Sequence, residues 1–161
     1  MGYEYKKINY ELSDKSIINI MIYDNAGQER FRGVNKSIYT KIDSCILFYD
    51  ITNRHSFKEC EEFNQIIKEM CKKDVKLMLL GNKIDLEDER EVTKKEGLKF
   101  AESNGYIFYE ISCKNNINVF QAFEKLIEIT EKDLEFDERK NNNFELDKKE
   151  IKKKKKNCCK N

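Results

Sequence analysis

The sequence predicts an α/β protein, a largely parallel sheet with helices on both faces. Two observations lead there. After an N-terminal pair of strand-like runs, the patterning alternates helix, strand, helix, strand, helix, strand, helix up to about residue 131. Alternation of that kind implies parallel strands joined by helical crossovers. The runs CILFYD (45–50) and VKLMLLG (75–81) are short, apolar and bounded by polar turns, the pattern of strands buried on both faces.

Residues 3–12 and 16–23 are strand-like and are joined by Ser13, Asp14 and Lys15, so they read as a hairpin. Between the two buried strands, Phe57, Phe63, Ile66, Ile67 and Met70 recur at helical spacing. Thr93 with Glu96 forms a capping box, and Gly105 stops the helix it opens. YIFYEIS (106–112) is the next strand. Val119, Phe120, Phe123, Leu126 and Ile127 mark a last amphipathic helix. From about residue 132 apolar spacing dissolves into charge and Asn. Residues 1–131 are therefore expected to form the domain, and 132–161 a mostly disordered basic tail.

At 161 residues the chain is long enough for one domain with a core and too short for two ordinary ones. Lys plus Arg is 31 against 30 for Asp plus Glu, so global charge argues neither for nor against a nucleic-acid partner, and none is expected. The asymmetry is local: Lys148, Lys149, Lys152 to Lys156 and Lys160 face one acidic residue, Glu150. No stretch approaches the roughly 18 consecutive apolar residues of a membrane span. MGYEYK has no signal-peptide core, and Lys6 stands where a myristoylation site wants Ser or Thr. The six Cys form no C-x-x-C, which fits reduced thiols better than a disulfide or zinc framework.

Ligands of doubly wound sheets bind at the carboxyl ends of strands, and three chemically suggestive segments fall at such ends. Asp24 to Gln28 follows the second hairpin strand: Asp24 can hold Mg²⁺ through water, the Gly27 N–H can reach a phosphate oxygen, and Gln28 can orient a water. Asn82-Lys83-Ile84-Asp85 follows Gly81. Asp85 can accept two hydrogen bonds from a base edge with two adjacent donors, as in guanine; Asn82 can tie neighbouring loops, and the Lys83 stem can lie over a ring. Ser112-Cys113-Lys114 follows Ile111. His55, the only His, reads as an exposed turn residue rather than a general base.

These segments resemble the motifs of Rab-type small GTPases over roughly residues 1–130. NKID resembles the guanine-recognition N-K-x-D, Ser112-Cys113-Lys114 the S-A-K loop with Cys for Ala, and DNAGQE the switch II D-T-A-G-Q-E with Asn25 for Thr. MGYEY (1–5), RFRGVN (30–35) and ILFYDIT (46–52) resemble Rab-specific segments. The resemblance implies a P-loop-NTPase-like sheet, with GTP or GDP and Mg²⁺ bound. Asp24 would hold the metal through water, Gly27 would contact the γ-phosphate, and Gln28 would position the attacking water. Asn82, Lys83 and Asp85 would recognise guanine, supported by Ser112, Cys113 and Lys114. Tyr5, Tyr23 and Ile38 sit where Rabs show effectors an aromatic triad. Implied partners are an exchange factor, a GTPase-activating protein, an escort protein, a dissociation inhibitor and effectors.

One departure stands out: the 161 residues hold no G-x-x-x-x-G-K-[ST], the loop that cradles phosphates. Aligned on the Rab pattern, Met1 follows the position of the switch I Thr. The first strand, P-loop, first helix and that Thr are thus expected to be missing, the chain as it stands to be inactive with no nucleotide bound, and the two strands that flank the first to have unpaired edges. At the other end, Cys158 and Cys159 resemble the Rab C-C-x-x signal for double geranylgeranylation, beside Lys152 to Lys156. Such a tail implies the cytoplasmic face of intracellular membranes, with a cytosolic pool. The reading is a GTP-hydrolysing switch of vesicle trafficking; its rival is a nucleotide-free, membrane-tethered module that sequesters Rab partners.

Overall fold

The computed structural model describes residues 4–12, 14–24, 39–71 and 74–134. The chain divides between Lys36 and Ser37 into two compact units. Gly27, Gln28, Ile38, Cys158, Cys159 and the helix expected before residue 44 lie outside the described residues, apart from residue 39 of that helix.

The first unit carries the hairpin. Strands β1 (Glu4–Glu11) and β2 (Ile17–Asp24) pair antiparallel, with Tyr5 opposite Tyr23 and Glu11 opposite Ile17. The turn is held locally. Asp14 Oδ1 accepts from the Ser16 N–H at 2.9 Å and the Ser16 hydroxyl at 2.6 Å, and the Leu12 N–H donates to the Ser16 carbonyl at 2.8 Å. An Asp that bonds the backbone two residues on is a turn former.

In the second unit β3 (Ser44–Asp50), β4 (Lys76–Asn82) and β5 (Ile107–Glu110) form a parallel sheet in the order β3-β4-β5. Helix α1 (Arg54–Met70) crosses from β3 to β4. A 3₁₀ helix (Ile84–Glu89) and α2 (Lys94–Asn104) cross from β4 to β5, and residues 119–134 form α3. Asn53 caps α1, its Oδ1 accepting from the His55 and Ser56 N–H groups. The Thr93–Glu96 box caps α2, and Gly105 ends it in the left-handed conformation at φ 75°, as a residue without Cβ does readily. His55 lies exposed in the first turn of α1.

Strand alternation sends successive residues to opposite faces, and two cores result. Leu47, Tyr49 and Leu79 pack with Phe57, Cys60 and Ile67 of α1 and Ala101 of α2. Met78, Leu80 and Ile111 pack with Ala122 and Leu126 of α3. Helices therefore cover both faces, as the alternation predicted.

Three expectations need correction. β3 is not buried on both faces, since Phe48 is 48% exposed: among the described residues β3 pairs with β4 alone, and Ile46 rather than Phe48 meets the α3 core. Phe120 is exposed because α3 turns Val119, Ala122, Leu126 and Ile129 inward, a stripe that leaves position 120 about 100° away. Ile84 and Asp85 open the 3₁₀ helix. The last strand stops at Glu110, and Ser112 forms instead an isolated bridge with Ile117. Among the described residues, β2 pairs with β1 and β3 with β4.

Candidate functional site

The registers Asp50–Asn82 and Gly81–Glu110 bring the carboxyl ends of β3, β4 and β5 level. Backbone bonds then stitch the loops beyond them: the Ile51 N–H to the Asn82 carbonyl at 3.1 Å, the Ile111 N–H to Gly81 at 2.8 Å, and the Ile84 N–H to Ile111 at 3.2 Å. Asn82 continues the stitching with its side chain. Its Oδ1 accepts from the Lys83 N–H at 2.8 Å and from the Cys113 N–H at 3.1 Å. The expectation that Asn82 ties neighbouring loops matches this geometry.

Lys83 takes the left-handed conformation, φ 70° and ψ 36°, and its Nζ meets Asp50 Oδ2 at 2.6 Å. The other Asp50 oxygen accepts from the Thr52 N–H and hydroxyl at 2.9 and 2.8 Å. Burial alone would raise the Asp50 carboxyl, but the Lys83 and Thr52 hydrogen bonds outweigh it and hold it below the ordinary carboxylate value. The same bond pushes the Lys83 ammonium up. Lys83 is thus anchored as a cation.

Asp85 is the most enclosed acid here, its side chain 7% exposed. The buried Ser112 hydroxyl donates to Asp85 Oδ1 at 2.5 Å while accepting from the Asn115 N–H at 3.0 Å. That inbound donor orients the hydroxyl proton toward Asp85. Lys114 Nζ lies 3.9 Å from Oδ2. The Ser112 bond, ahead of the lysines, holds the carboxyl below its ordinary value, so Asp85 is an anionic acceptor at neutral pH. The loop closes by paired backbone bonds between Ser112 and Ile117 at 3.1 and 3.0 Å.

Asn82, Lys83, Asp85, Leu86, Cys113 and Lys114 line a cavity of about 280 Å³, near the lower bound of ligand pockets. It offers one anionic acceptor, two cations and the apolar Leu86 wall, which suits a planar, polar-edged ring carrying negative charge. Five of its six lining residues are among those the sequence singled out, and Ser112 stands behind Asp85. Leu86 and Asp50 were missed. Asp50 had a signal, since an Asp two residues before Thr52 is the spacing of a side-chain-closed turn.

Asp24 ends β2 in the first unit and is exposed. Tyr5 and Tyr23 face each other across the hairpin with ring centroids 6.4 Å apart, and Tyr5 is 63% exposed. No group of three or more His, Cys, Asp or Glu side chains able to hold a metal lies among the described residues. No helix among them is long and apolar enough to cross a membrane.

The Ras family model matches residues 1–132. The human Ras-related protein Rab-3A is 39% identical over 129 residues, which are 80% of this chain and 58% of that protein. Ras-related protein Rab-2B of Dictyostelium discoideum is 38% identical over 135 residues, 84% of this chain and 66% of its own. Rab-11C of the same organism is 40% identical over 127 residues, 79% of this chain and 56% of its own. The chain therefore spans between 56% and 66% of the length of these curated relatives.

Proposed function

Because this chain belongs to the Ras family of small GTPases, with Rab proteins as its relatives, we propose that the whole protein is a guanine-nucleotide switch of vesicle trafficking. The observation that carries the reading is Asp85, anionic, locked by the Ser112 hydroxyl and lining a cavity with Asn82, Lys83 and Cys113. The carboxylate accepts the two adjacent N–H donors of guanine, the Lys83 stem covers the ring, and the Asn82 tie to the Cys113 N–H keeps the two loops at base width.

In the proposed reaction a water attacks the γ-phosphorus of GTP, the bond to the β-bridging oxygen breaks, and GDP and phosphate leave. Gln28 orients that water, and the Gly27 N–H holds a γ-oxygen. Positioning and charge are nearly all that a protein contributes to phosphoryl transfer. Asp24, a hard carboxylate at the end of β2, would hold Mg²⁺ through water, and the ion would supply positive charge beside the phosphates. Tyr5 and Tyr23 of the hairpin face effectors. Regulators of the kinds named for Rabs act on the cycle, and prenyl groups on Cys158 and Cys159 anchor the protein to membranes.

The test is base preference. The 161-residue chain titrated with GMP, XMP and AMP, followed by NMR, is expected to prefer GMP through Asp85. Asp85→Asn reverses one hydrogen-bond polarity and is expected to shift preference from GMP toward XMP by about 10-fold or more, since one hydrogen bond to a charged group contributes about 1.5–3 kcal/mol. An unchanged order of affinities in the variant would mean that Asp85 does not read the base.

A further inference from the structure

Arg90 closes the 3₁₀ helix that begins with Ile84 and Asp85, and every N–H of its guanidinium finds an acceptor. Nε and Nη2 reach the two Glu87 oxygens at 2.8 and 2.7 Å. Nη1 and Nη2 reach the two Glu110 oxygens at 2.6 and 3.3 Å, and Nη1 also donates to the Val92 carbonyl at 2.9 Å. The Arg90 and Glu110 side chains are only 14% and 10% exposed. Glu87, 63% exposed, belongs to the 3₁₀ helix itself, so only the Glu110 fork joins separate elements.

Glu110 also grips the opposite wall. Its backbone carbonyl accepts from Asn118 Nδ2 at 2.9 Å, and Asn118 follows the Ser112–Ile117 bridge that closes the loop carrying Cys113 and Lys114. One residue of β5 therefore holds both sides of the cavity: the Asp85 side through Arg90, the 113–118 side through its own main chain. A bidentate guanidinium–carboxylate fork fixes angle as well as distance, and a lysine in its place supplies charge without the fork.

We propose that Arg90, clamped on Glu110, is a positioning residue for base recognition: it holds the 3₁₀ helix at the distance from β5 where Asp85 meets both the Ser112 hydroxyl and the base edge. This rests on the guanine-nucleotide reading above. It touches no ligand itself. Its role is to keep Asp85 from drifting, because a hydrogen bond weakens steeply once its acceptor leaves the favoured distance and angle.

The 161-residue chain is titrated with GMP and with IMP, which lacks the exocyclic amino donor that Asp85 would accept. The parent is expected to favour GMP by about 10-fold or more, as one hydrogen bond to a charged acceptor allows. Arg90→Lys and Glu110→Gln are each expected to bring that ratio toward one while changing IMP affinity by less than about 2-fold. Glu87→Gln leaves the bridging fork in place and is expected to keep the ratio. Glu110→Gln retains the shape of the site should Arg90→Lys fold poorly. Variants that lose thermal stability yet keep the parental ratio would overturn the proposal, leaving Arg90 a structural residue only. A parent that does not distinguish GMP from IMP overturns the Asp85 reading and this inference with it, an outcome separate from the first.

Discussion

Tyr49 shows at the scale of one residue how tightly the second unit is fitted. Its ring is 2% exposed and meets Phe57 edge-on with centroids 4.9 Å apart. Its hydroxyl has no hydrogen-bond partner among the described residues, and burial holds the phenol well above its ordinary pKa. The hydroxyl fits where two glycines leave room: a Cβ at Gly81 would lie 2.6 Å from Tyr49 Oη, and one at Gly97 2.5 Å from it and 2.8 Å from the Phe108 ring. In an open helix Gly97→Ala would gain up to about 1 kcal/mol. Here overpacking costs about 1–3 kcal/mol, so the substitution is expected to destabilise. Tyr49→Phe is expected to be neutral or stabilising, because it removes an unpaired buried hydroxyl, and to relieve part of the Gly97→Ala cost. A urea-denaturation cycle of the two variants checks this; strictly additive effects would sink the assignment of Tyr49 Oη as the obstacle.

At the scale of elements, the N-terminus of α2 joins a local signal to a distant one. The Thr93–Glu96 capping box was legible because both halves lie within one turn, and the structure has both hydrogen bonds. That Arg54, at the start of α1, also binds both Glu96 oxygens at 2.7 and 3.2 Å was not legible, since residues 42 apart meet only through the fold. Glu96 is held down to about 2, by the Arg54 hydrogen bond first and the Thr93 bonds next. A carboxyl depressed in the folded state contributes stability above its unfolded pKa and loses it as pH falls through the folded one. Its contribution is therefore complete above about pH 4.5 and fades toward pH 2. The urea midpoint is expected to fall over that window, and Glu96→Gln to flatten part of the fall; a parallel decline in the variant would assign the acid sensitivity to other carboxylates. The same contrast runs through the site. Asn82, Lys83, Asp85 and Ser112 to Lys114 were readable because the motifs are contiguous. Arg90 and Glu110 were not, because the β4–β5 register sets their partnership. Phe48 and Phe120 were misjudged because hydrophobicity states what a residue tolerates, not which neighbour reaches it.

At the scale of the whole molecule, the proposed switch needs a membrane address as well as a nucleotide. Two prenyl chains anchor stably where one is marginal, and each Lys near an anionic leaflet adds about 1 kcal/mol. Cys158→Ser with Cys159→Ser is expected to release the protein from membranes at any salt, whereas Gln in place of Lys152 to Lys156 weakens attachment to anionic membranes only. Intact mass of protein from eukaryotic cells checks the premise, and absence of lipid mass on either Cys would end the anchoring proposal. A different consequence follows from β4. One strand gives Leu79 to the first core, Met78 and Leu80 to the second, and Asn82 to the cavity. Melting the two cores therefore also removes the cavity wall at Asn82. Any ligand held there is thermodynamically linked to folding of the unit, adding RT ln(1 + [L]/Kd) to its stability. The resistance of the second unit to unfolding is then no fixed property of the polypeptide: it rises and falls with the free concentration of the ligand it binds.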